Sequence, residues 1–164
     1  MTDRFIKFFT QLIKNEGGFS DDKNDSGGAT IYGISVNNFP SQYSVIHELY
    51  QKDKPNALLY AQSFYNANFY KPIYDRIKDE QIAFKLFDLG VNMGMIPPIK
   101  MLQRSCGVPD DGIFGECTLN AVNSKDCYKL FIAEAEKYYV SLVNKNPQNA
   151  KFLNGWLNRL RTKI

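Results

Sequence analysis

Apolar residues recur at helical spacing from the start of the chain. Phe5, Phe8, Phe9, Leu12 and Ile13 share one face of the stretch from Arg4 to Asn15, which predicts an amphipathic helix with Thr2 as its cap and Asp3 in the first turn. Gly17 and Gly18 follow where that helix would stop. The polar run Ser20 to Gly28 predicts a loop or small hairpin, and Thr30-Ile31-Tyr32 a short strand, the one firm β signal. Pro55 to Phe69 is the next helix, opening on a proline and carrying Leu58, Leu59, Phe64 and Tyr65. Glu80 to Asn92 is another, with Ile82, Ala83, Leu86, Phe87 and Gly90 toward the core. Pro97-Pro98 starts a third, ending near Gly107. A turn-rich run, Val108 to Gly115, leads into a short helix containing Thr118, Leu119 and Val122. Ser124 is placed to cap the following helix, in which Tyr128, Phe131, Ile132, Ala135, Tyr138, Tyr139 and Leu142 keep the period over about four turns. Pro147 breaks it. A last helix carries Phe152, Leu153, Trp156, Leu157 and Leu160, with Trp156 expected in the core. The sum is a mainly α (α+β) protein with a small β element near its N-terminus.

Composition narrows the chemistry. At 164 residues and 44% hydrophobic content the chain suits one domain or two fused lobes, and disorder is not expected. A net charge of +3, with Lys151, Arg159, Arg161 and Lys163 gathered near the C-terminus, favours approach to a polyanion without choosing one. A solvated basic helix end accounts for it equally well. No Lys/Arg cluster lies along a single recognition helix, so nucleic acid is not an expected partner. Cys106, Cys117 and Cys127 cannot all pair within one chain and match no zinc or redox spacing; we expect them reduced and mostly buried. Asp3, Arg4 and Lys7 interrupt the N-terminal apolar residues, so neither a signal peptide nor a membrane span is expected there. His47 is the only histidine, which argues against Ser-His-Asp or Cys-His catalysis and a histidine-rich metal site. No cofactor and no metal is called for. Carboxylates are the acids and bases left.

Glu16 stands at the end of the first helix and at the mouth of a glycine-bearing loop, followed nine residues later by Asp25 and fourteen later by Thr30. A general acid must hold its proton near neutrality, whereas an ordinary Glu titrates near about 4.3. The carbonyls at a helix C-terminus disfavour a carboxylate by about 0.3 to 1 kcal/mol, a fraction of the shift required, so burial in a cleft must supply the rest. Asp25, among Asn24, Ser26, Gly27 and Gly28, has backbone donors near it that would keep it ionised. Two carboxylates in two environments, with a threonine to orient water, are the equipment for hydrolysing a glycosidic bond. Spacing alone leaves another account open, in which Glu16 is a surface residue and Asp21, Asp22 and Asp25 form an acidic turn or a loose calcium loop. The twelve-residue calcium pattern is not met.

The ungapped run Glu16-Gly17-Gly18-Phe19, Asp25, Gly27-Gly28, Thr30 and Tyr32-Gly33-Ile34-Ser35 resembles the signature of glycoside hydrolase family 108, the N-acetylmuramidase-type lysozymes common among phage endolysins. In that family a helix start follows the Tyr-Gly-Ile element. The resemblance continues through Phe69-Tyr70-Lys71-Pro72 and Phe87-Asp88-Leu89-Gly90-Val91-Asn92-Met93-Gly94. Leu102-Gln103-Arg104, Asp111-Gly112-Ile113-Phe114-Gly115 with Thr118-Leu119, and Gly155-Trp156-Leu157-Asn158-Arg159 are similar to the family's C-terminal portion, a predicted peptidoglycan-binding domain. Ser26 stands where the family often has Pro, and Ala29 where a polar residue or Pro is frequent.

The resemblance implies a lysozyme-like fold, with a small β-hairpin beside the catalytic Glu, in a catalytic lobe over residues 1–94 and a helical lobe over 95–164 packed as one unit. It implies hydrolysis of the β-1,4 bond between N-acetylmuramic acid and N-acetylglucosamine in peptidoglycan glycan strands. By position, Glu16 is the general acid, Asp25 the base or charge stabiliser and Thr30 the water-holder. Phage-type lysozymes share the nine-residue interval, though their Thr sits one residue farther on. Tyr32 and Asn92 are candidate substrate-binding residues; the alternatives are a core aromatic for Tyr32 and a helix cap for Asn92. A lytic transglycosylase or a non-catalytic peptidoglycan-binding protein would carry much of the same pattern. An endolysin of this kind would be made in the cytoplasm, act on the wall after release through holin holes or an export system, insert in no membrane, and be a monomer by default.

Overall fold

The first helix, α1 (Asp3–Glu16), starts where the Thr2 hydroxyl accepts a bond from the Phe5 amide at 3.3 Å, the expected cap. It buries Phe5, Phe8, Phe9 and Leu12, while Ile13 is only half-buried. The computed structural model describes residues 1–16, 18–20 and 28–164, without the side chains of residues 15 and 16. The chain divides into two units, Met1–Tyr70 and Lys71–Ile164.

In the first unit α1 meets α3 (Lys54–Phe69) and the residue after it through aromatic rings, Phe5 with Tyr70 at 5.2 Å and Phe9 with Tyr65 at 5.9 Å between centroids. Asp53 caps α3 by accepting from the Asn56 amide at 3.2 Å, and Pro55 occupies the first turn. This helix buries Ala57, Ala61, Phe64 and Tyr65; Leu58 and Leu59 point outward. Between α1 and α3 lie three two-residue strands, β1 (Phe19–Ser20), β2 (Thr30–Ile31) and β3 (Ile34–Ser35), in one antiparallel sheet of order β1-β2-β3.

The predicted strand is therefore shorter than expected, because Tyr32 leaves β-space at φ +49°. Its neighbours β1 and β3 were not predicted, since two residues leave no alternating pattern to detect. Ile34-Ser35, expected to lead into a helix, is strand instead. The helix begins five residues later as α2 (Pro40–Lys52), for which the sequence offered no element: Ile46 is its single buried residue, so no apolar stripe marks it.

The second unit opens with a 3-10 turn, Pro72–Arg76, and α4 (Glu80–Met93). Asp79 caps α4, accepting from Gln81 and Ile82 amides at 2.8 and 3.2 Å. Every residue from Ile82 to Gly90 is buried, Lys85 and Asp88 among them. The remaining helices are α5 (Ile96–Cys106), α6 (Glu116–Ser124), α7 (Tyr128–Lys145) and α8 (Ala150–Arg161), with a 3-10 turn at Pro147–Asn149 breaking the chain where expected. The Asp111-Gly112 turn is architectural: Gln103 donates to the Asp111 carboxylate at 2.7 Å and accepts from the Gly112 amide at 2.9 Å.

Three expectations need correction here. Ser124 does not cap α7; it is the last residue of α6 and donates back to the Asn120 carbonyl at 2.5 Å, while Cys127 precedes α7 with no side-chain cap bond. Cys106 and Cys127 are not reduced but paired in a disulfide, 5.6 Å apart at Cα, because the end of α5 meets the start of α7; Cys117 is exposed and free. Trp156 is half-buried rather than core, stacked on Tyr139 at 5.1 Å and on Phe152 at 5.9 Å. Among the described residues no helix is long and apolar enough to cross a membrane.

Candidate active site

The candidate site of the first unit is built from a helix end, a small sheet and two tyrosines. Glu16 is the last residue of α1, so its backbone stands at the end where helix carbonyls are left without intrahelical donors. Its side chain lies outside the described structure. So do residues 21–27, and with them Asp21, Asp22, Asp25, Ser26 and Gly27.

Gly28, the first described residue after that stretch, has φ +69°. A Cβ there would come within 2.9 Å of Val36 Cγ1 and 3.2 Å of Asn37 Nδ2. Both conformation and space demand glycine at this position, which brings the chain into β2 against β3. The Val36 amide bonds to the Ala29 carbonyl at 3.0 Å, extending that pairing.

Thr30 sits in the central strand. Its registered neighbours are Ser20 on β1 and Ser35 on β3, while Ile31 pairs with Phe19 and Ile34 in the other row. Successive strand residues face opposite sides, and Ile31 and Ile34 are fully buried. The row Ser20, Thr30, Ser35 is therefore a line of hydroxyls on the face away from that apolar row. Ser35 Oγ is occupied, accepting from the Asn38 amide at 3.2 Å.

Tyr32 is the only described non-glycine residue with positive φ. A bulky side chain in that region costs about 1 kcal/mol or more, and such outliers gather at functional sites. Two bonds hold it there: its amide donates to the Gly18 carbonyl at 2.8 Å, and its own carbonyl accepts from the Tyr65 hydroxyl at 2.9 Å. The ring is half-buried, not core. Burial, and next to it Tyr50, raises its phenol's pKa.

Tyr50, on α2, is the neighbour that sequence reasoning missed. Its ring packs edge-on against Tyr32 at 5.6 Å, with Lys54 Nζ 5.0 Å from its centroid. The missing signal is that of α2 itself, since no periodic pattern pointed this tyrosine at the loop after Glu16.

Asn92 belongs to the second unit. It is exposed, precedes the last residue of α4, and is not the cap, a place taken by Gly94 at φ +85°. Its Oδ1 accepts from the buried Tyr139 hydroxyl at 2.9 Å, which fixes the amide so that Nδ2 is presented away from Tyr139. Beneath it, Asp88 is a structural carboxylate: Oδ1 meets Arg159 Nε and Nη2, both at 3.0 Å, and Oδ2 lies 3.6 Å from Lys85 Nζ. Burial pulls the Lys85 pKa down, against the pull of Asp88. Thr30 and Tyr32 thus stand together in one unit with Glu16, and Asn92 stands in the other.

A family model described as Glycosyl hydrolase 108 matches residues 9–94, and one described as Predicted Peptidoglycan domain matches residues 97–161. No curated protein matches in sequence. A solved structure of Brucella abortus SagA superposes with a TM-score of 0.62 at 23% identity, covering 95% of this chain and 88% of that one. At that identity the likeness establishes the fold, which is mainly α and lysozyme-like.

Proposed function

Because the chain belongs to glycosyl hydrolase family 108, we propose that it is an N-acetylmuramidase, cleaving the β-1,4 bond between N-acetylmuramic acid and N-acetylglucosamine. That it is a glycoside hydrolase with peptidoglycan as its ligand follows from the two family models, which together span residues 9–94 and 97–161. The finer reading is supported by one observation above all: Glu16 ends α1, ahead of the sheet whose central strand begins with Thr30.

In this reading Glu16, protonated, gives its proton to the glycosidic oxygen as the bond to the anomeric carbon breaks. The sugar passes through an oxocarbenium-like state, which the Asp25 carboxylate stabilises directly or through the water it activates. Thr30, in the middle of the hydroxyl row with Ser20 and Ser35, orients that water by hydrogen bonding. The water's oxygen bonds to the anomeric carbon, its proton passes to the base, and a reducing end is left. In the first unit Tyr32 offers the glycan strand a ring and a hydroxyl; in the second, Asn92 offers it an amide oriented by Tyr139. No cofactor enters this scheme. Residues 1–94 carry the chemistry and residues 95–164 hold the wall. The protein acts as a monomer after leaving the cytoplasm, as an endolysin would, with no nucleic acid or membrane as partner.

A lytic transglycosylase would use the same Glu without a water. Mass spectrometry of soluble products from purified peptidoglycan separates the two: reducing N-acetylmuramic acid ends are expected, and 1,6-anhydro ends would contradict hydrolysis.

A further inference from the structure

The sequence places two glycines after Glu16, and the structure gives the second a purpose that backbone conformation does not. Gly18 is not among the glycines with positive φ. A Cβ built on it would instead lie 3.0 Å from the Tyr50 hydroxyl oxygen, its nearest contact. The phenol of Tyr50 thus rests on the loop backbone two residues past Glu16. The same phenol packs edge-on against Tyr32, whose amide is bonded to Gly18 itself. Both rings are half-buried. A half-buried tyrosine keeps its apolar body packed while its hydroxyl stays able to bond a ligand. Aromatic faces with a few fixed polar groups are the usual lining of a ligand site.

We propose that Tyr50 is a substrate-contacting residue, whose hydroxyl hydrogen-bonds an N-acetylated amino sugar of the glycan strand while its ring fixes the orientation of Tyr32. The inference rests on the muramidase reading and extends it to a residue outside the signature. Gly18 is glycine so that this hydroxyl can approach the loop. Lys54 sits over the Tyr50 ring, so the sugar meets the hydroxyl end rather than that face.

The test is steady-state hydrolysis of solubilised peptidoglycan by wild type, Tyr50→Phe, Gly18→Ala and the double variant, each checked by thermal melting. Tyr50→Phe keeps the ring packing and loses one hydrogen bond made in both ground and transition states. KM is expected to rise about five- to tenfold with kcat within about twofold and the melting temperature unchanged. Gly18→Ala pushes the hydroxyl aside, so its KM effect should largely vanish when Tyr50 is already Phe. A Tyr50→Phe enzyme with wild-type KM, or effects of the two changes that simply add, would overturn the role of Tyr50 alone. A folded wild type that releases no products would instead remove the muramidase reading, and this role with it.

Discussion

The Tyr65 hydroxyl donates to the Tyr32 carbonyl oxygen at 2.9 Å, tying α3 to the one described non-glycine residue held at positive φ. A helix whose ring packs against Phe9 of α1 at 5.9 Å thus also fixes the turn that aims the Tyr32 ring. Tyr65→Phe keeps the packing and removes the tie. Stability should fall by about 0.5 to 1.5 kcal/mol in urea unfolding, and KM for peptidoglycan should rise because Tyr32 relaxes from its strained conformation. A variant with the expected stability loss and unchanged KM would separate Tyr32 from substrate binding.

The buried charges of the second unit form a different kind of tie. Asp88 faces Arg159 at 3.0 Å and Lys85 at 3.6 Å, and both Lys85 and Asp88 have side chains wholly out of solvent. Removing the carboxylate takes the counter-charge from the fully buried Lys85. Asp88→Ala should destabilise by about 3 to 5 kcal/mol, measured as a shift of the denaturation midpoint. A loss below about 1 kcal/mol would mean that the site takes up water readily.

The Cys106–Cys127 bridge closes a loop with a sequence separation of 21 that includes α6. Cross-linking a loop of this size restricts the unfolded chain, which is worth about 3 kcal/mol. Reductant, or Cys106→Ser with Cys127→Ser, should lower the melting temperature of the second unit. Equal melting with and without reductant would show that the bridge carries no stability.

Acid should act on the second unit through Arg104. Its guanidinium bonds Asp110 at 2.8 Å and Glu134 at 3.0 Å and holds both carboxyls below their ordinary 3.8 and 4.5, with Lys137 adding to the effect on Glu134. A lowered folded pKa means that the unfolded chain takes up the protons first as pH falls. The contribution is full above the ordinary values and is lost as pH drops through the lowered ones. Both carboxyls are partly exposed, so the effect is small and screened by salt. The melting-temperature gap between wild type and Arg104→Gln should be present near about pH 6 and shrink toward about pH 2. A gap independent of pH would place the effect of Arg104 in packing alone.

The helices with a broad apolar stripe, such as α1 and α7, were legible from spacing because burial there follows the helical period. α2 was not, since Ile46 alone is buried in it, and with it went Tyr50. The strands β1 and β3 are too short to alternate, so a three-stranded sheet looked like one strand and a loop. Cys106 and Cys127 looked unpaired because pairing depends on where α5 and α7 meet, which no local pattern encodes. Tyr32 illustrates the remaining gap: its aromatic character suggested a sugar or a core, but its backbone conformation, fixed by Gly18 and Tyr65, is a tertiary fact.

The central claim is that Glu16 supplies the proton for cleavage. Glu16→Gln keeps size and helix propensity while removing the acid, so purified wild type and variant should melt at the same temperature. Soluble muropeptides with reducing N-acetylmuramic acid ends should appear with the wild type and fall by at least about a hundredfold with the variant. A folded Glu16→Gln protein that releases them at the wild-type rate would contradict the account.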